Sequence, residues 1–152
     1  YSLETIHTPG HASNHLCFYL EKHKCLLTGD HIMDGSTVVI APPDGNMTEY
    51  IESLRLLEDY DINYFAPGHG NYMEDPYKTI QSIIRHRLSR ESKVLRCVDK
   101  NKNSNLDELL PLVYDDVPEI LHPIAKMSLM AHLIKLQDDK KIKSVENRYS
   151  SS

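Results

Sequence analysis

Hydrophobic positions change period along the chain. Residues 2–8, "SLETIHT", alternate as a strand does. "HLCFYLEKHKCLLTGD" predicts two short apolar strands joined by the charged turn "EKHK" and ending in Gly-Asp. "GSTVVI" is β-branched and predicts a further strand, and "APPDGN" predicts a loop. Asn46 followed by Glu49 reads as a capping box, and Ile51, Leu54 and Leu57 then recur at helical spacing. "INYFAPGHG" is a short strand running into a glycine-flanked histidine.

From residue 75 the period is helical. Asp75-Pro76 supplies an N-cap acceptor and a proline at the first position. Ile80, Ile84, Leu88 and Leu95 trace one face of a helix reaching about Val98. "DKNKNSN" is a polar linker. Asn105 and Glu108 form a second capping box before Leu106, Leu109, Leu110 and Val113. "DDVPEILHP" predicts a turn or short helix, "IAKMSLMAHLIKLQ" a helix with Met127 and Met130 filling its core face, and "DDKKIKSV" a small strand or wing. Three helices and a short β tail follow the order of a winged helix, and periodicity alone fits a plain helical extension equally well.

Charge and glycine content divide at the same place. Residues 1–76 hold three Lys/Arg against 12 Asp/Glu, and residues 77–152 hold 14 against 10. All six glycines lie at or before Gly70. Two modules are expected, residues 1–75 and 76–152. The three cysteines, Cys17, Cys25 and Cys97, lack any CxxC repeat and point to free thiols in a reducing, cytoplasmic setting. No apolar run approaches the roughly 20 residues a membrane span needs, so no membrane role is expected.

The candidate chemistry lies in the first module. "TPGH", "TGDH" and "APGHG" each end a strand beside glycine, presenting His11, Asp30 and His69 from rigid turns. Imidazole and carboxylate are natural ligands for zinc and related divalent ions. In "HTPGHASNH" the spacing of His7, His11 and His15 suggests a helical stripe, but Pro9 and Gly10 break it. Singly, each residue also reads as an ordinary turn residue. "HRLSRE" reads as an exposed Arg87–Glu91 ion pair. His132, between Ala131 and Leu133, reads as a satisfied, partly buried histidine.

In this order and spacing, "HTPGHASNH", "TGDH" and "APGHG" closely resemble the second half of the metallo-β-lactamase superfamily fold. The resemblance is to the glyoxalase II-like branch with a C-terminal winged helix, which includes a mitochondrial β-lactamase-like endoribonuclease and bacterial relatives. It implies an α+β fold: the C-terminal half of an αββα sandwich, then a small winged-helix-like domain. His11 then matches a ligand of the first metal, Asp30 the catalytic aspartate bridging two metals, and His69 a ligand of the second. His15 matches a histidine supporting the ligands rather than binding metal, while His7 and His31 match no assigned role. The resemblance implies two zinc ions, with manganese or iron as alternatives. It also implies hydrolysis of a thioester, lactone, other small ester or single-stranded RNA by a metal-held hydroxide. The family's HxHxDH motif does not occur in these residues. The chain is therefore expected to be a fragment, inactive alone, whose partners include the N-terminal half of the same fold and a second copy in a homodimer. A different reading is a non-catalytic nucleic-acid-binding module using the winged helix, favoured by the basic second half.

Overall fold

The computed structural model describes residues 2–152. They form two compact units that divide between Arg85 and His86. The first unit holds a five-stranded sheet in the order β1-β2-β3-β4-β5: Leu3–His7, Leu16–Leu20, Cys25–Gly29, Tyr64–Pro67 and Met73–Glu74. The strands are antiparallel except β3 and β4, which are parallel. A parallel pair needs a crossover, and helix α1 (Met47–Leu56) lies within it.

The side-chain period of two sorts this sheet into faces. Ile6, Cys17, Tyr19, Leu26, Thr28 and Phe65 are buried, as are Met47, Tyr50, Ile51, Ser53 and Leu54 of α1. The opposite face keeps Leu3, Leu16 and Leu27 exposed. Asn46 caps α1 by accepting from the Glu49 amide at 3.0 Å.

Residues 36–40 are not a strand, contrary to the β-branched pattern of "GSTVVI". Gly35 turns the chain with φ +71 and Pro42-Pro43 follows. Val38 and Ile40 are nevertheless buried, so hydrophobicity alone produced the strand signal.

Helix α2 (Pro76–Lys100) begins where Asp75-Pro76 predicts. Asp75 itself takes the left-handed φ of +56, and its carbonyl accepts from the Thr79 amide at 3.0 Å. The buried positions are Ile80, Ile84, Arg87, Glu91, Val94 and Val98, while Leu88 is exposed. The helix therefore turns a charged pair inward. Arg87 and Glu91 are buried rather than an exposed ion pair.

The second unit contains a three-stranded sheet in the order β6-β8-β7, formed by Ser104–Asn105, Arg148–Ser151 and Ile142–Val145. Helices α3 (Leu106–Val113) and α4 (His122–Asp138) pack on the C-terminal part of α2 around Val94, Val98, Leu109, Leu129, Leu133 and Leu136. Asn105 and Glu108 form the reciprocal capping box read from the sequence. This is the winged-helix order. Met127 and Met130 are exposed and do not fill the core.

His132 is fully buried in this core, not partly so, and among the described residues neither ring nitrogen has a hydrogen-bond partner. Its nearest acid is Glu91, 4.0 Å from Nδ1, and Glu91 is itself held by Lys135 Nζ at 3.0 Å. Burial, then the Arg87, Arg90, Lys135 and His86 charges, push His132 down to about 3. The neutral imidazole is thus the form that folds. Below its unfolded value of about 6.5 the unfolded chain binds a proton that the folded chain refuses, so this contribution is complete above that pH and is lost toward pH 3. Urea midpoints for the wild type and His132→Leu between pH 7.5 and 4.5 test this. The wild type should lose about 1.4 kcal/mol per pH unit relative to the variant below about pH 6; parallel curves would contradict it.

Candidate metal centre

Three turns at strand ends build the site. The first follows β1. Its Thr8 amide donates to the His15 carbonyl at 3.0 Å, closing the loop that holds His11. The Asn46 amide donates to the Gly10 carbonyl at 2.8 Å and Ser53 Oγ to the Pro9 carbonyl at 2.7 Å, tying the loop to α1. A Cβ on Gly10 would stand 2.3 Å from the Tyr50 Cα, and Gly10 has φ +140. Only glycine permits this approach. The Ser13 amide donates to Asp44 Oδ1 at 3.2 Å, and His7 Nε2 donates to the Ser13 carbonyl at 2.9 Å. His7 therefore steadies the loop.

The second turn ends β3, where Gly29 takes φ +52 and lies against the His15 ring; a Cβ there would meet His15 Nε2 at 2.9 Å. Thr28 closes the turn, its carbonyl accepting from the His31 amide at 3.0 Å and its hydroxyl donating to the Ile32 carbonyl at 2.8 Å. The third turn ends β4. The Gly68 amide donates to the Gly29 carbonyl at 2.9 Å, extending the parallel pairing past its last register pair, Gly29 with Pro67. Asp30 and His69 consequently emerge side by side, with His69 Nε2 3.2 Å from Asp30 Oδ1 and both side chains open to solvent.

His11 donates from Nδ1 to the Val39 carbonyl at 2.8 Å. A carbonyl can only accept, so Nδ1 carries a proton, and in the neutral ring Nε2 is the nitrogen left with a lone pair. This is how a protein orients a ligating histidine. His15 contacts Thr8 Oγ1 through Nδ1 at 2.9 Å. Burial and the neighbouring His11 lower its pKa, while Asp30 opposes them. His15 thus stands between the His11 loop, through Thr8, and the Asp30 turn, against Gly29.

The donor chemistry fits a divalent ion in part. Two ligand atoms about 2.0–2.2 Å from one tetrahedral ion stand about 3.3–3.6 Å apart, close to the Asp30–His69 separation of 3.2 Å. His11 presents the correct tautomer. Among the described residues, however, no three such side chains are gathered closely enough to hold an ion by themselves.

One supporting residue, Asp34, escapes the sequence reading, and a second, His31, has no role in it. Asp34 holds the His69 turn, accepting at Oδ2 from the Asn71 amide and from Asn71 Nδ2, both at 3.1 Å. A Cβ on Gly70 would stand 2.5 Å from the Asp34 Cβ, so Gly70 is required there too. The "DG" at Asp34-Gly35 signals a turn but not its distant partner. His31 is fully buried, its ring 5.0 Å from that of Tyr50 and 5.7 Å from that of His15. Burial pushes it down to about 3, so it serves as a neutral wall beneath the Asp30 turn.

Residues 2–69 match the family model "Metallo-beta-lactamase superfamily", and residues 106–149 match "Beta-lactamase associated winged helix domain". The chain carries a metallo-beta-lactamase superfamily domain and its associated winged helix. It is 32% identical over 144 residues to the Beta-lactamase-like protein 2 homolog of Drosophila melanogaster, covering 93% of this chain and 48% of that protein. It is 28% identical over 149 residues to an Atrochrysone carboxyl ACP thioesterase of Aspergillus chevalieri, covering 93% and 47%. A crystal structure of a metallo-beta-lactamase family protein from Thermus thermophilus superposes with a TM-score of 0.86 at 22% identity, covering 99% of this chain and 49% of that one. That likeness shows the fold. The chain spans about half the length of the curated relatives it matches.

The clamp on the His11 loop makes a stability prediction. Gly10→Ala should destabilise the chain by about 2–4 kcal/mol, since overpacking and a strained backbone act together. Gly35→Ala, with nothing within 4 Å of the added Cβ, should lose only about 1–2 kcal/mol from its φ of +71. Urea denaturation of both variants checks the order; equal losses would contradict it.

Proposed function

We propose that this chain supplies His11, Asp30 and His69 to a divalent-metal centre, zinc in the first instance, that hydrolyses a thioester or related small ester. The observation that carries the proposal is the pairing of Asp30 with His69 at the ends of adjacent parallel strands. A hydrolase reading of the superfamily, and a relative named as a thioesterase, support the ester class. Single-stranded RNA is the competing substrate, to be told apart by assay.

When bound, divalent ions supply Lewis acidity and lower the pKa of water toward neutrality. The residues of this chain do the positioning. Asp30 would offer its carboxylate to the ion. His11 and His69 offer imidazole nitrogens, with His11 fixed through Val39. His15 stands against Gly29, where it supports the Asp30 turn without being needed as a ligand. Leu3, Leu16 and Leu27, exposed on one sheet face, suit the remaining half of a sandwich, which would bring the remaining ligands.

The winged helix as a nucleic-acid reader is less well supported. The helix that precedes the wing, α4, is the one such folds lay in a groove. Its exposed large side chains are Ile124, Met127, Met130 and Ile134, and its Lys126 is engaged by Asp107.

Metal analysis and turnover of the longer protein test the proposal. About two ions per chain are expected. Asp30→Asn should reduce metal affinity and acyl-thioester turnover by more than about 100-fold, and His15→Ala by about 10–100-fold, as for groups that orient ligands. Metal content unchanged in both Asp30→Asn and His69→Ala would contradict the site. Cleavage of single-stranded RNA with no thioester turnover would reassign the substrate.

A further inference from the structure

The turns that carry His11, Asp30 and His69 are held together in two different ways. Asp30 and His69 follow β3 and β4, which pair directly, so the ladder itself sets their spacing. His11 follows β1, and β2 lies between β1 and β3. Among the described residues β1 and β3 share no ladder, so another contact must set the His11 loop against the Asp30 turn.

Tyr50, fully buried in the first turn of α1, spans that gap. On one side the His11 loop presses on its backbone: a Cβ on Gly10 would stand 2.3 Å from the Tyr50 Cα and 2.6 Å from its nitrogen. The Asn46 amide on the Gly10 carbonyl, 2.8 Å, and Ser53 Oγ on the Pro9 carbonyl, 2.7 Å, clamp this contact. On the other side the Tyr50 hydroxyl donates to the His31 carbonyl at 2.9 Å. Its ring stands edge-on to the His31 ring, with centroids 5.0 Å apart and planes at 68°. His31 directly follows Asp30, and its amide is tied back to the Thr28 carbonyl at 3.0 Å. The tyrosine therefore grips the Asp30 turn by a backbone atom while its own backbone is locked to the His11 loop.

The hydroxyl does more than fill space. Phenylalanine would supply the same apolar ring, whereas a buried phenol adds a directed bond. The ring is rigid and turns about only two torsions, so the position of α1 passes to the Asp30 turn with little slack. Ligands of a working centre must be held within about 0.5 Å of their productive geometry.

We infer that Tyr50 is a positioning residue for the metal centre, setting the Asp30 turn against the His11 loop through its hydrogen bond to the His31 carbonyl. The inference rests on the reading of His11, Asp30 and His69 as ligands of one centre.

Tyr50→Phe removes the bond and keeps the ring. Tyr19→Phe is the matched control. Tyr19 is also buried, and its hydroxyl donates to the Asp61 carbonyl at 2.7 Å. Asp61 precedes β4, at the opposite edge of the sheet from Asp30 and His69. The readout is the apparent Zn²⁺ dissociation constant of the longer protein, stripped of metal and titrated in competition with a chromogenic chelator, with Asp30→Asn alongside. Tyr50→Phe should weaken zinc binding by about tenfold, as for groups that orient ligands. Tyr19→Phe should weaken it by less than about twofold, as for a distant, independent site. Three results would overturn the inference. Zinc binding unchanged in Tyr50→Phe but weakened in Asp30→Asn would leave the metal centre standing and remove Tyr50 from it. Equal weakening by both tyrosine variants would make the hydroxyl bond a general support of the fold. A wild type that takes up no zinc, or zinc binding that survives Asp30→Asn, would overturn the metal-centre reading together with this inference.

Discussion

The parallel pairing of β3 with β4 is the constraint from which the site follows. Two adjacent strands running the same way end at the same edge of the sheet, so the residues just beyond them become neighbours. Here those residues are Asp30 and His69, 3.2 Å apart. The register continues one step past the last strand pair through the Gly68 amide and the Gly29 carbonyl. Antiparallel strands would have sent the two turns to opposite edges. The crossover α1 has a second role: its first turn receives the His11 loop, with Gly10 pressed on Tyr50. One connection therefore fixes His11, Asp30 and His69.

Glycine appears where backbone meets something solid. Gly10 meets α1, Gly29 meets the His15 ring, and Gly70 meets Asp34. A side chain at any of these would displace a turn that carries a histidine or aspartate. The strand ends are thus rigid on the inside and open to solvent at the Asp30 and His69 side chains.

Much of this was legible in the sequence, because local chemistry decided it. The Asn105–Glu108 capping box, the Asn46 cap of α1 (without the return bond from Glu49), the start of α2, the strands beside glycine and the order of the winged helix come from short-range rules that tertiary contacts did not override. The misreadings share a cause. "GSTVVI" is apolar because Val38 and Ile40 are buried, yet no neighbouring strand pairs with it among the described residues. Arg87, Glu91 and His132 are polar letters at inward positions, where burial is decided by packing across helices rather than by residue type. Met127 and Met130 are apolar letters at outward positions. Asp34 was invisible for another reason: its partner, the His69 turn, is remote in sequence, and nothing local marks the contact.

The central claim is that the β3 and β4 turns form one side of a metal centre. Anomalous diffraction from crystals of the chain grown with Zn²⁺, recorded across the zinc edge, tests it most directly. The account predicts a peak shared by Asp30 Oδ1 and His69 Nε2, about 2.0–2.2 Å from each. Zinc bound only elsewhere on the chain, with the Asp30–His69 contact unchanged, would contradict it.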